Sequence, residues 1–138
     1  MNEYKFEVRG VAVPQGSAKA FPFKKKDGQL GVAVNTVNPA LRAWREAIAT
    51  EARKVAPPVL IEGACQVSCY FQFVAPKSRK KQGMTMYSRP DLDKLLRAVL
   101  DACTGVIWKD DSQVCILRGQ KVYLDPPGCR ITIRTCVL

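Results

Sequence analysis

The chain has 138 residues, with 22 Lys and Arg against 12 Asp and Glu, for a net charge of +10. That length fits one domain over residues 1–138, with roughly two thirds of the unfolded surface buried around a single core. No window approaches the ~20 apolar residues of a membrane helix and the first residues hold no apolar signal-like run, so no membrane partner and a cytoplasmic location are expected. The cationic excess makes nucleic acid the leading partner class, because Lys and Arg neutralise phosphates and release their counterions, although the same charge can serve solubility alone.

Residues 4–9 alternate Tyr4, Phe6 and Val8 with Lys5, Glu7 and Arg9, which predicts a half-buried strand. Residues 13–31 carry Pro14, Gly16, Pro22 and Gly28 among Lys19, Lys24, Lys25 and Lys26, a basic loop or hairpin followed by a short strand near 32–35. Asn38-Pro39 opens a helix, with Asn as the cap and Pro at the first helical position. Leu41, Trp44, Ile48, Ala52 and Val55 recur at helical spacing until Pro57-Pro58 stops it.

Residues 64–73 return to a period of two, with Cys65, Val67, Cys69, Phe71 and Phe73 on one face of a second long strand. The segment 76–90 contains Lys77, Arg79, Lys80, Lys81 and Arg89 and no acid. Such a stretch stays solvated until an anion meets it, or serves as a plain linker. Leu92, Leu95, Leu96, Val99, Leu100 and Cys103 then form an apolar helical stripe that Thr104-Gly105 ends. Two strands, 114–123 and 130–137, close the chain around the turn Asp125-Pro126-Pro127-Gly128. The order β-β-α-β-α-β-β predicts an α+β fold, a single mixed β-sheet with two main helices packed on it. The six cysteines form no CxxC pair and read as small packing residues of a reducing compartment.

One stretch stands against the basic background. Residues 89–114 hold five of the twelve carboxylates: Asp91, Asp93, Asp101, Asp110 and Asp111. In a regular helix Asp91 and Asp93 would diverge by about 200°, but Pro90 disfavours helical geometry before it, so Asp91 is expected as the N-cap and Asp93 in the first turn. Both can then face one point, and Asp111, beyond the reversal at Gly105, could return to the same end. Each like-charge pair at about 4 Å costs about 1 kcal/mol in water and about 4 kcal/mol at an effective dielectric near 20, which a divalent cation would offset. Oxygen ligands without His or thiolate suit Mg²⁺ or Mn²⁺. The alternative is structural: Asp91 caps, Asp93 and Asp101 pair with Arg97, and Asp110-Asp111 sits in a turn. Of these acids Asp101 is expected to orient Arg97, and Trp108 to pack rather than stack on a base. With no His in the chain, a histidine general base is excluded.

The run Arg-Pro-Asp-Leu-Asp-Lys-Leu-Leu-Arg, then Leu-Asp-Ala, then Gly-Val-Ile-Trp-Lys-Asp-Asp-Ser-Gln-Val resembles the RusA-like Holliday junction resolvases, the crossover junction endodeoxyribonucleases common in phages and prophages. The N-terminal Val-Pro-Gln-Gly-Ser-Ala-Lys segment and the first helix extend the resemblance over nearly the whole chain. It implies a Mg²⁺-dependent homodimeric endonuclease that cuts four-way DNA junctions by paired nicks, with the family's aspartates on Asp91, Asp93 and Asp111. The family's catalytic lysine falls on Arg97, and the residue after the second aspartate, usually Asn, is Lys94. Arginine can steady a pentavalent phosphate but does not give up a proton near neutral pH, a part that Lys94 could take. The segments Lys19 to Lys26 and Lys77 to Arg89 would grip the DNA arms. A non-catalytic protein of the same fold that binds branched nucleic acid is the other outcome to consider.

Overall fold

The computed structural model of the chain describes residues 2–16, 20–34, 38–77 and 83–136. Its elements follow the order β1 (Glu3–Arg9), β2 (Ala20–Lys24), β3 (Leu30–Val34), α1 (Pro39–Val55), β4 (Cys65–Phe73), α2 (Leu92–Cys103), β5 (Val114–Tyr123) and β6 (Gly128–Thr135). The α+β class is as expected. Four strands form a mixed sheet in the order β1-β6-β4-β5, in which only the β4–β5 pair is parallel.

The expected second strand differs. Residues 20–34 fold back on themselves as the hairpin β2–β3, a separate two-stranded sheet. The turn explains it: Gly28 takes a positive φ of 84°, and the Lys25 N–H donates to the Gln29 carbonyl at 2.8 Å. The predicted end of that strand, Asn35, lies outside the described residues.

Alternation drives the layering. Phe6 and Val8 of β1, the odd positions of β4, and Cys129, Ile131 and Ile133 of β6 are buried on one face, where α1 and α2 cover them. Helix α1 starts as predicted, with Asn38 Oδ1 accepting from the Leu41 N–H at 2.8 Å, and buries Leu41, Trp44, Ile48 and Ala52. The opposite sheet face carries Lys5, Glu7, Arg118 and Arg130.

Four cysteines, Cys65, Cys69, Cys103 and Cys129, are buried as expected. Burial pushes the Cys65 and Cys103 thiols above their usual range, which keeps them protonated and inert. Cys115 departs from the expectation: it is exposed, with its Sγ 3.7 Å from that of Cys136.

The direction of α2 decides where the acids lie. Parallel strands such as β4 and β5 need a crossover, and α2 supplies it by running antiparallel to both. Gly119 of β5 makes room for the helix: a Cβ there would lie 2.9 Å from Leu96 Cδ2 and 3.1 Å from Leu92 Cδ1. The start of α2 therefore sits over the C-terminal half of β5. Its end, through Thr104 and the bridge between Ile61 and Trp108, sits at the N-terminal ends of β4 and β5.

Candidate active site

Asp91 is the N-cap of α2 by backbone conformation (φ −69°, ψ 135°), and Asp93 follows in the first turn, as the sequence predicts. The Asp91 carbonyl accepts from the Leu95 N–H at 3.2 Å, but its carboxylate makes no capping hydrogen bond. That carboxylate is 57% exposed, with Lys94 Nζ 3.9 Å from its Oδ2. An exposed pair of this kind contributes about 0–1 kcal/mol, so Asp91 is held for neither capping nor a strong ion pair.

Two contacts fix this helix start. Lys121 of β5 donates to the carbonyls of Ser88 (2.6 Å) and Pro90 (2.7 Å), pinning the entry of α2 to the sheet. The Gln15 N–H donates to the Lys94 carbonyl at 3.0 Å, while Gln15 Oε1 is buried with no partner among the described residues. Neither contact was read from the sequence. A signal for the first was available: Lys121 shares its strand parity with Gly119 and Tyr123, and an inward lysine needs acceptors.

Asp111 lies elsewhere. It opens a 3₁₀ turn, Asp111–Gln113, just before β5, in which Asp110 Oδ1 accepts from the Ser112 N–H at 2.9 Å and Gln113 reaches back to the Asp110 N–H at 2.9 Å. Gln113 also donates to the carbonyls of Ile61 (2.7 Å) and Gly63 (3.0 Å), which anchors the turn at the N-terminal end of β4. The Ser112 backbone N–H, then its hydroxyl, hold the Asp110 carboxyl below the usual carboxylate range. Its support for the turn is therefore complete above the unfolded value and fades as pH falls through the lower, folded one.

Asp110 thus shapes the turn, and Asp111 is exposed on it. From Val114 to Lys121 the strand covers about 23 Å at ~3.3 Å per residue, and the 12 residues of α2 span about 18 Å at ~1.5 Å per residue. Asp91 and Asp93 stand at one end of that length and Asp111 at the other. The expected return of Asp111 to the helix start does not occur within one chain, because a helix antiparallel to β5 delivers the chain to the opposite end. Among the described residues no group of three or more His, Cys, Asp or Glu could hold one metal ion.

The structural alternative also fails in part. No ion pair within 4.0 Å joins Arg97 to Asp93 or Asp101 among the described residues, so Asp101 does not orient Arg97 by a salt bridge. Asp101 instead lines a groove of about 380 Å³ with Arg42, Arg45 and Arg53. Trp108 is fully buried and donates through Nε1 to Thr104 Oγ1 at 3.1 Å, the packing role expected of it.

The basic residues Lys24, Lys25 and Lys26 are exposed at the hairpin tip, and Lys77 and Arg89 are exposed. Arg89 lines an apolar cavity of about 570 Å³ between Val11, Phe73, Met86 and Tyr123, next to the start of α2. Lys19, Arg79, Lys80 and Lys81 lie outside the described residues.

The donors at the helix start suit a hard divalent cation in kind: two carboxylates, no thiolate, no imidazole. They do not suit it in number. Asp91 and Asp93 lie in sequence among Arg89, Lys94 and Arg97, at the partially positive N-terminal end of α2, so a cation there needs further acid.

Two exposed carboxylates at a helix start, in a chain of net charge +10 with an α+β fold, are what the comparison with known proteins has to account for. The chain matches the profile of the endodeoxyribonuclease RusA family over residues 4–134, and it belongs to that family. It is therefore an endonuclease of the RusA type, a Holliday junction resolvase nuclease. It is also 28% identical over 145 aligned positions to the uncharacterized protein YqaN of Bacillus subtilis (strain 168), covering 97% of each chain.

Proposed function

We propose that the protein is a divalent-metal-dependent endodeoxyribonuclease that resolves four-way DNA junctions by paired symmetric nicks, as a homodimer acting in DNA recombination and repair in the cytoplasm. The observation that carries this reading is Asp91, a cap residue of α2 whose carboxylate does no capping and sits beside Asp93. Asp91 and Asp93, with Asp111 supplied by the second protomer of the homodimer because in its own chain it lies at the far end of β5, are the residues that would hold Mg²⁺, or Mn²⁺ in its place. Held there, such an ion would supply positive charge against the scissile phosphate and would lower the pKa of a water.

The chain's own residues do the rest. Arg97, exposed four residues beyond Asp93, presents a planar donor fork to phosphate oxygens and steadies the charge of the transition state. Lys94, 3.9 Å from Asp91, is the group at this helix end that can hand on a proton. Lys24, Lys25, Lys26, Lys77 and Arg89, with Lys19, Arg79, Lys80 and Lys81, bind the DNA backbone without reading sequence. A two-fold dimer on a two-fold junction puts one site on each of two opposing strands.

A second reading has one feature in its favour, Arg97 where the resembling family carries lysine: a protein that binds branched DNA and never cuts it. Asp91→Asn separates the two. Junction binding should persist or tighten as a repelling charge disappears, while cleavage in Mg²⁺ falls more than about 100-fold, since outer-sphere partners of a metal alone are worth about 10–100-fold. Undiminished cleavage by the variant would show that Asp91 holds no metal.

A further inference from the structure

We propose that Tyr87 stacks on an unpaired base at the branch point and is the residue by which this chain tells a junction from plain duplex. This rests on the function proposed above and deepens it. The need is physical: lysines and arginines that bind backbone phosphates meet the same charges on a duplex as on a junction, so they supply affinity without a preference for branched structure. A base face offers itself only where the stack is interrupted, and any of the four bases then serves.

The first ground is exposure. Of the aromatic side chains described, all are buried or half-buried except that of Tyr87, which is 85% exposed. A single exposed apolar residue is ordinary on a protein surface, and what sets Tyr87 apart is how it is held.

The second ground is the backbone beneath it. Before Tyr87, residues 83–86 pair with the outer side of β5, through Met86 N–H to the Lys121 carbonyl (3.1 Å) and Tyr123 N–H to the Met84 carbonyl (3.0 Å), and the Met86 side chain is buried. After it, Ser88 is tied twice, its hydroxyl 3.0 Å from that of Tyr123 and its carbonyl accepting from Lys121 Nζ at 2.6 Å. Both neighbours of Tyr87 are thus anchored while its ring stands in solvent. An aromatic side chain with two rotatable angles on a fixed backbone loses little freedom when it binds.

The third ground is place. Tyr87 precedes Asp91 by four residues, so their Cα atoms are at most about 14 Å apart at ~3.6 Å per residue. At ~3.4 Å per nucleotide that length covers about four nucleotides of one strand. Arg89, exposed between them, can hold an intervening phosphate. Capture of a base by Tyr87 therefore also fixes which phosphate reaches Asp91 and Asp93.

Photocrosslinking and binding, both on the full chain in EDTA, test this. A four-way junction and a duplex of matching sequence carry 5-iodouracil in place of thymine, either at the branch point or far along an arm. Irradiation joins uracil C5 to an aromatic ring stacked on it, with loss of hydrogen iodide. The expected result is that the wild type and Tyr87→Phe crosslink through residue 87 to the branch-point base alone, as read by mass spectrometry of the digested adduct, and bind the junction equally well. Tyr87→Ala should lose that crosslink and bind the junction about 5- to 150-fold more weakly, the worth of one base stacked on one ring, with duplex affinity unchanged. No crosslink to residue 87 in the wild type, unchanged junction binding by Tyr87→Ala, an equal loss on junction and duplex, or a Tyr87→Ala chain that is monomeric where the wild type is dimeric would overturn the proposal. A wild-type chain with no preference for the junction would remove the function proposed above, and this inference with it.

Discussion

Asp91 and Lys121 show what single residues contribute. Pro90 made the cap position of Asp91 legible in the sequence, because a residue before proline avoids helical geometry and aspartate favours the cap. What its carboxylate does was not legible, since hydrogen bonding at an exposed cap depends on side-chain rotamer and local solvation rather than on residue type. Asp101 shows the same gap: the i,i+4 spacing to Arg97 permits a salt bridge, and an exposed pair is too weak to impose one. Lys121 is the stronger determinant, because its two charge-assisted bonds to Ser88 and Pro90 hold the entry of α2. Lys121→Met should lower stability by about 2 kcal/mol, within the range for hydrogen bonds to charged groups, and reduce cleavage more than junction binding. Urea denaturation with parallel binding and cleavage assays measures both; unchanged stability would show that the lysine does not hold the helix start.

At the level of elements, periodicity was a sound guide and topology was not. The stripes of α1 and α2 and the alternation of β1 and β4 predicted each element to within a residue or two, because each buries one face against the same core. The hairpin was half seen, since its two short strands carry turn residues and lysines but no regular alternation. Strand order escaped, and with it the position of Asp111: without knowing that β4 and β5 are parallel neighbours, nothing fixes which end of the sheet the chain reaches after α2. Gly119 reports that contact. Gly119→Val would push side-chain atoms into Leu92 and Leu96, whose methyl carbons already lie 2.9–3.1 Å from where its Cβ would sit, and should cost about 2 kcal/mol, in the range of overpacking. A lowered urea midpoint at constant slope is the expected sign; an unchanged midpoint would mean that α2 does not bear on β5 there.

For the whole molecule, charge and fold serve one task. A protein of net charge +10 attracts DNA phosphates through its lysines and arginines, and in the function proposed its few clustered carboxylates hold a cation. The family was legible from the motif around Asp91 and Asp111, whereas the separation of those two acids along β5 follows only from their three-dimensional placement. The most direct measurement is incubation of the purified protein with labelled four-way junction, duplex and single-stranded DNA of the same sequence, each in Mg²⁺ and in EDTA. Cleavage of the junction in Mg²⁺, by nicks placed symmetrically on opposing strands, with duplex and single strand left intact and nothing cut in EDTA, is the predicted result. Junction binding with no cleavage under any condition, or equal cleavage of all three substrates, would contradict it.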